Sequence, residues 1–265
     1  MKSIIIIGAG IAGLSAGIYA RRNGYAATIY ELHYLPGGLC TAWKRRGFTF
    51  EGCMHYVGIV GSSPEHAYYQ QWKELGVVPK TTMIHHDSLH TFRDKSGRAL
   101  NLYADADRLE EELLSLSPRD AEEIQALCTA VKRYSWFIRT TGRNPFRLIT
   151  RAASMLRAIP LLKKYGDLNL AEYASRFQDP LIRDALTYLF VKPEFACTNL
   201  FFFLAGMHIG GTGFPQGSSL ALAQTVERTF LDLGGKIEYR QRVRRIAVQD
   251  GRATGIELED GTVVE

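Results

Sequence analysis

Long apolar runs are missing from this chain of 265 residues. None reaches the roughly 18 residues that cross a bilayer, and the longest late candidate, Leu200 to Ile209, is short and holds His208, so an integral span is not supported. Cysteine is scarce. Cys40, Cys53, Cys128 and Cys197 form no C-x-x-C pair and no zinc spacing, and the expected compartment is the reducing cytoplasm. Acidic residues are absent from one long stretch: Ile124 to Gly166 carries nine Lys or Arg and no Asp or Glu, while the remainder carries 23 basic against 27 acidic residues. The formal net charge of +5 therefore belongs to a single segment, and the partner of that segment is a question in itself. With 46% hydrophobic and 22% charged residues, the chain is otherwise ordinary, long enough for one large domain or two smaller ones.

What is present is concentrated at the start. Ile4 to Ile7 form a continuous apolar run that fits a strand buried on both faces. Gly8, Gly10 and Gly13 follow as G-x-G-x-x-G. Leu14, Ile18 and several alanines then recur at helical spacing until the stop at Asn23-Gly24. Ala27 to Tyr30 make a second strand, which Glu31 closes. Each glycine has a role in such a unit: a tight turn, close approach of backbone to a pyrophosphate, and close packing of helix on strand. An anion is favoured where free N–H groups and the helix dipole point. Glu31, 18 residues after Gly13, stands where an acid binds a ribose 2′-hydroxyl. It would repel a 2′-phosphate, which suits FAD or NAD better than NADP. A secretory leader also begins with a basic residue and an apolar run, but the glycines and the acid-ended strand behind them argue against cleavage, and the chain is expected to start inside its fold.

After Glu31 comes His33-Tyr34-Leu35-Pro36-Gly37-Gly38-Leu39-Cys40-Thr41, a Pro-Gly-Gly turn that by composition alone is a plain surface turn. Its position, a few residues beyond the acid, resembles the flavoprotein loop that covers the FAD diphosphate. Phe48 and Phe50 alternate as on a strand, and Gly52-Cys53-Met54-His55-Tyr56-Val57-Gly58 follows. On these residues the chain resembles the FAD-dependent family of phytoene desaturases, carotenoid isomerases and retinol saturases, departing from its pattern at Leu39 and Cys53. The resemblance implies an α/β fold: a Rossmann-like FAD-binding domain of the two-dinucleotide-fold flavoprotein type, with an inserted mixed α+β, largely helical substrate domain. Residues 1–80 would be the first part of the FAD-binding domain, 81–209 a partial substrate and membrane-facing domain, and 210–265 the incomplete return. It implies FAD held by Gly8, Gly10, Gly13, Glu31, Gly37, Gly38 and Thr41, with the Val243 backbone at the adenine. It also sets His55 and Tyr56 near the flavin, His55 either as a proton donor or as a structural histidine.

Further along, residues 65–78 read as a helix, Met83 to Tyr103 as two strands joined by Asp94-Lys95-Ser96-Gly97, and Asp105 to Leu116 as a helix. Ser117-Pro118-Arg119-Asp120 reads as a capped start, with Ser117 as N-cap, for a helix toward Phe137. From Asn144-Pro145 an amphipathic helix carries Leu148, Ala152, Met155, Ile159 and Leu162 opposite Arg147 and Arg151. It is expected either to lie in a membrane interface across 144–164 or to be a solvated basic face. Nucleic acid ranks last, since no recognition motif accompanies the charge. Phe195 to Met207 is either a helix facing a wide apolar cavity or plain core. The run from Gly210 to Gly217 opens a helix from Ser218 to Leu233, and strands follow at 237–239, 243–248 and 253–258.

The chain covers about half of the resembled family's usual length and ends in an apparent strand, so it is expected to be C-terminally truncated or one half of a split pair with a complementary C-terminal half. For the intact fold the resemblance implies a flavin-dependent oxidoreductase acting on double bonds of a long apolar isoprenoid or polyene, with peripheral membrane contact. An amine oxidase of the same architecture is the second expectation, and a non-catalytic fragment that binds a partner or the membrane the third.

Overall fold

The computed structural model describes residues 2–54, 56, 63–64, 66, 68–139, 156, 159–190 and 192–265. It forms two compact units. The first comprises Met1–Tyr56, Gln71–Met83 and Phe214–Glu265, and the second comprises Val57–Gln70 and Ile84–Gly213.

In the first unit, strand β1 (Ser3–Ile7), helix α1 (Ile11–Arg22) and strand β2 (Ala26–Glu31) follow one another. The four isoleucines of β1 are β-branched and suit a pleated surface. The helix begins when the Leu14 N–H donates to the Gly10 carbonyl and stops at Asn23, whose N–H returns to Tyr19 and Ala20. Gly24 then turns the chain with φ of 81°, a conformation that favours glycine. β2 runs parallel to β1, from Ser3 opposite Ala26 to Ile7 opposite Tyr30. On its other side β2 pairs in parallel with Lys236–Tyr239, Glu31 standing opposite Tyr239.

The expectation that β1 is buried on both faces is not met. Ile4 is 39% exposed and Ile7 50%, because the sheet order leaves β1 at one edge. The Ala26 N–H donates to the Lys2 carbonyl and the Gly8 N–H to the Tyr30 carbonyl. Since alternate residues of a strand address each neighbour, the peptide groups of Ser3, Ile5 and Ile7 point away from β2. Among the described residues no strand pairs with that side. Beside it lies a groove of ≈360 Å3 lined by Ile4, Ile5 and Ile7 with Ile246 and Ile256.

The helix Ser219–Asp232 packs against α1. Phe230 is fully buried and its ring occupies a slot that only glycines permit: a Cβ on Gly17 would stand 2.6 Å from the ring and one on Gly235 2.2 Å from it. Burying that ring contributes about 1.5–3 kcal/mol. Arg21 ties the same corner, donating from Nε to the Leu233 carbonyl at 2.9 Å and from a terminal nitrogen to the Tyr25 carbonyl at 2.8 Å. An antiparallel sheet of Val243–Gln249, Arg252–Leu258 and Val263–Val264 completes the unit.

The second unit opens with the hairpin Ser88–Arg93 and Ala99–Tyr103. Its turn is held by Asp94, whose carboxylate accepts from the Ser96 and Arg98 N–H groups. Helices Ala106–Leu116, Ala121–Arg139, Leu170–Ala174, Pro180–Tyr188 and Cys197–His208 follow. Ser117 stands at the N-cap with Pro118 at N1, as expected, but of a short 3-10 turn, and its side chain makes no cap hydrogen bond. Its hydroxyl instead donates to Asp120 at 2.7 Å, and Asp120 accepts from the Gln178 and Asp179 N–H groups at 2.7 and 3.0 Å. Asp120 thus ties two distant segments together, and the 3-10 turn, Pro118–Asp120, precedes the helix. Cys197–His208 packs on Ala121–Arg139, with Phe201 stacked on Tyr134 and against Tyr165 and Tyr173. It is core, the plainer of the two expectations. Of the expected basic helix, 144–155 and 157–158 lie outside the described residues, while 156 and 159–164 are helical.

Candidate functional site

The C-terminal ends of β1 and β2 build the site. Gly8 leaves β1 with φ of 94°. Gly13, one helical turn on, lies against it so closely that a Cβ would fall 2.0 Å from the Gly8 oxygen. Gly10 is the N-cap of α1, and no side chain caps the helix there. The N–H groups of Ile11, Ala12 and Gly13, which precede the first intrahelical bond, have no carbonyl within the helix to reach. The first turn holds no acid, so the field at this end favours an anion.

Glu31 is turned inward. One carboxylate oxygen accepts from the Ala9 N–H at 2.6 Å and the other from the His33 N–H at 2.7 Å. The tip of β2 thereby holds the turn that follows β1. The neighbouring Tyr239 hydroxyl donates to Glu227, and burial, that hydrogen bond and the charges of Glu227 and Glu31 together raise its pKa well above the usual phenol value.

The second glycine turn abuts the first. The Gly37 N–H donates to the Ala9 carbonyl at 2.8 Å, and a Cβ on Gly38 would stand 3.3 Å from the Gly10 Cα. Gly37 is doubly constrained: its φ is 109°, and a Cβ would meet the Ala223 methyl at 2.8 Å. The two backbones therefore form one continuous floor without side chains. Beside it opens a cavity of ≈410 Å3 bordered by Glu31, His33, Tyr34, Gly38, Thr41 and Leu220 among others.

Glu51 supports the site from below. It ends the strand Phe48–Glu51, which pairs with Ala42–Arg45, and its carboxylate accepts from both the Ser219 N–H, at 2.9 Å, and the Ser219 hydroxyl, at 2.5 Å. Ser218, at φ of 126°, accepts from the Ala221 N–H at 3.2 Å. Between them the Ser219 and Ala221 N–H groups of this first turn find acceptors, and that helix supplies Leu220 to the cavity and Ala223 beneath Gly37.

Gly8, Gly10, Gly13, Glu31, Gly37, Gly38 and Thr41 are thus gathered in one place. Val243 is half-buried at the start of the antiparallel sheet, opposite Leu258, and like Gly8, Gly10 and Gly13 it is not among the residues that border the cavity. The loop before it is stitched to the site, since the Arg240 N–H donates to the His33 carbonyl and the Gln241 N–H to the Glu31 carbonyl. His55 lies outside the described residues. Tyr56 packs beside Phe214, and burial raises its pKa. The sequence reading gave no role to Ala9, His33, Tyr34, Leu220 or Glu51. Only Glu51 left a signal, an acid at the inward end of an alternating strand.

The residues present fit a dinucleotide: free N–H groups at a helix start, two glycine turns that a Cβ would obstruct, and a carboxylate aimed into the turn. Residues 6–75 match the model of the NAD(P)-binding Rossmann-like domain. Over its full length the chain is 27% identical to a lycopene-forming phytoene desaturase of Pseudescherichia vulneris, covering 54% of that protein. It is 23% identical to prolycopene isomerase of Daucus carota and 23% to all-trans-retinol 13,14-reductase of Danio rerio, covering 98% and 97% of this chain and 44% of each relative. Among solved structures, an oxidoreductase from Methanosarcina mazei superposes with a TM-score of 0.63 at 20% identity, covering all of this chain and 57% of its own. A putrescine oxidase variant superposes at 0.60 and 14%, covering 98% and 55%. The chain spans about half the length of the curated relatives it matches. It has the Rossmann-like α/β fold of these oxidoreductases, and along its own length its sequence is similar to phytoene desaturases, prolycopene isomerase and retinol reductase.

Proposed function

We propose that this chain carries the FAD-binding part of an oxidoreductase that acts on carbon–carbon double bonds of a long apolar isoprenoid or polyene. The observation that carries the reading is the Glu31 carboxylate, held inward by the Ala9 N–H at the lip of the ≈410 Å3 cavity. A second sugar hydroxyl can share its free lone pairs, whereas a 2′-phosphate there would meet like charge. The N–H groups that open α1 and the Gly10 backbone would hold the diphosphate, the Gly37-Gly38 turn would cover it, and Thr41 would border the ribose side. Flavin, when bound, supplies the hydride chemistry, and the protein's own part is to orient it and keep water out. FAD rather than NAD is favoured by the second glycine turn, whose place a few residues past the acid resembles the flavoprotein loop that covers the FAD diphosphate. The substrate class rests on the relatives, which are desaturases, an isomerase and a reductase of polyenes by name. His55 remains the proposed residue at the flavin face.

The reading extends to partners. A polypeptide equivalent to the other half of the relatives would complete the site, and the segment 144–164 would touch the membrane that dissolves the substrate. No helix among the described residues is long and apolar enough to cross a membrane. Titration of the purified protein with FAD, NAD and NADP tests the cofactor: FAD should be retained most tightly, and a preference for NADP overturns the assignment. The putrescine oxidase likeness favours an amine oxidase as the second reading. With the other half present, turnover of vesicle-borne polyene and not of soluble amines separates the two.

A further inference from the structure

The hairpin beside the glycine floor has two unlike faces. Its strands Ala42–Arg45 and Phe48–Glu51 turn through Arg46 and Gly47 with φ of 51° and 81°, the two positive values of a two-residue type I′ turn. Side chains alternate across a strand. The register sets Ala42 opposite Glu51 and Lys44 opposite Thr49, which share one face, and it sets Trp43 opposite Phe50 and Arg45 opposite Phe48, which share the other. The base of the first face meets the rest of the unit, for Ala42 borders the ≈410 Å3 cavity and Glu51 holds Ser219. The second face is left to solvent. Trp43 is 54% exposed, Phe48 71% and Phe50 43%, and the rings of Trp43 and Phe50 stack with centroids 5.9 Å apart.

The charge around these rings has one sign. Lys44, Arg45 and Arg46 are consecutive and exposed, and residues 32–50 contain no Asp or Glu. Among the described residues, none of the three cations forms an ion pair. A contiguous apolar patch rimmed by charge marks an interaction surface, and the unpaired cations state the charge of what it meets. Aromatic rings, Trp above all, settle where headgroups meet acyl chains, and Lys and Arg beside them are drawn to anionic lipid. Single-stranded nucleic acid also joins rings to cations, but its bases stack on ring faces, and here Trp43 and Phe50 stack on each other.

We propose that this outward face docks on a bilayer that carries anionic phospholipid, with Trp43, Phe48 and Phe50 at the level of the headgroups and Lys44, Arg45 and Arg46 against lipid phosphates. The inference deepens the membrane reading above and rests on it, but it places the contact on a hairpin of the first unit and uses none of 144–164. Because the same hairpin presents Ala42 to the cavity, a docked bilayer lies against the strand pair that walls the cofactor site.

The full chain is co-sedimented with vesicles of phosphatidylcholine alone and of phosphatidylcholine mixed with phosphatidylglycerol. Binding to the mixed vesicles is expected, with phosphatidylcholine alone weaker by about tenfold or more. Two variants of the hairpin, Trp43→Thr with Phe48→Thr, and Lys44→Gln with Arg45→Gln and Arg46→Gln, should each lose about tenfold of the binding to mixed vesicles. Both should melt as the parent does, since threonine suits a strand and the side chains removed are exposed. Removing equal charge from the second unit, by Lys95→Gln with Arg183→Gln and Lys192→Gln, should cost at most about twofold. Equal losses in the two charge variants, or full binding by both hairpin variants, overturn this proposal and leave the membrane reading standing. A parent that binds neither kind of vesicle overturns both, and a face that instead retains single-stranded DNA, with vesicles left unbound, overturns the proposal in favour of nucleic acid.

Discussion

Glu31 and Ala9 are joined by a 2.6 Å hydrogen bond from the backbone N–H of one to the carboxylate of the other, so the acid that addresses a ribose also shapes the turn that addresses a diphosphate. Replacing it should therefore touch both binding and folding. Glu31→Ala is expected to cost about 1.5–3 kcal/mol of stability, since a charge-assisted hydrogen bond is lost from a part-buried site, and to weaken FAD binding. Glu31→Gln should keep one backbone hydrogen bond, lose less stability, and narrow the preference against NADP. Chemical denaturation and parallel nucleotide titrations read both effects, and an unchanged NADP affinity in Glu31→Gln would count against the charge argument.

Two glycines of one motif should fail differently. A Cβ at position 13 would lie 2.0 Å from the Gly8 oxygen, whereas one at position 10 meets nothing nearer than the Gly38 Cα at 3.9 Å, and Gly10 has an ordinary φ of −67°. Gly13→Ala should lose at least about 3 kcal/mol. Gly10→Ala should melt within about 0.5 kcal/mol of the parent yet bind FAD less well, because its methyl projects where the cofactor would approach. Equal stability losses in the two variants would sink the distinction.

Glu51 accepts two hydrogen bonds from Ser219 at the head of a long helix. Glu51→Ala should cost about 1–2 kcal/mol, the range of a lost N-cap, and loosen the helix that carries Leu220 to the cavity. Hydrogen exchange at residues 219–222 should rise, and an unchanged exchange rate would show that Ser218 alone suffices.

Acid should weaken the second unit through two aspartates. Burial alone raises Asp120, but the Gln178 N–H, the Ser117 hydroxyl and the Asp179 N–H outweigh it and hold its pKa below the usual value. For Asp179, burial is likewise outweighed, by Arg98 and by the Ile182 and Leu181 N–H groups. Groups depressed on folding contribute stability that is present above the unfolded pKa, about 3.9, and is lost as pH falls through the folded value. The urea midpoint should fall as pH drops below about 4, and the fall should be smaller in Asp120→Asn, which starts from a lower midpoint. An equal slope in parent and variant would remove Asp120 from the explanation.

The open edge of β1 makes a prediction of its own. By alternation the Ile6 N–H serves the ladder to β2 and the Ile5 N–H points outward, so proline at the two positions should differ. Ile6→Pro should lose about 3 kcal/mol or more and Ile5→Pro distinctly less, as urea titration would show; equal losses would mean that the alternation has been misassigned.

Much of this was legible beforehand, for physical reasons. The glycine turns, the acid and the hairpins are local: a positive φ or an alternating strand leaves its mark within a few residues. The edge position of β1 was not legible, because Ile4 to Ile7 have the composition of a central strand and nothing in the run states how many neighbours it has. Nor was the partner of the Ser117 hydroxyl legible: it joins Asp120, which also accepts from Gln178 and Asp179 some sixty residues on. The support of Glu51 for Ser219 spans 168 positions, beyond any local pattern.

The ring of Phe230 lies between Gly17 and Gly235, and this sets a timetable for the nascent chain. Residue 17 emerges early, but the ring that fills its slot arrives only after the whole of Ile84–Gly213 has been translated, on the order of ten seconds later at ordinary elongation rates. During that interval the N-terminal βαβ cannot close its own interior. A synonymous slow-codon stretch placed before residue 219 should lengthen its dependence on holding chaperones.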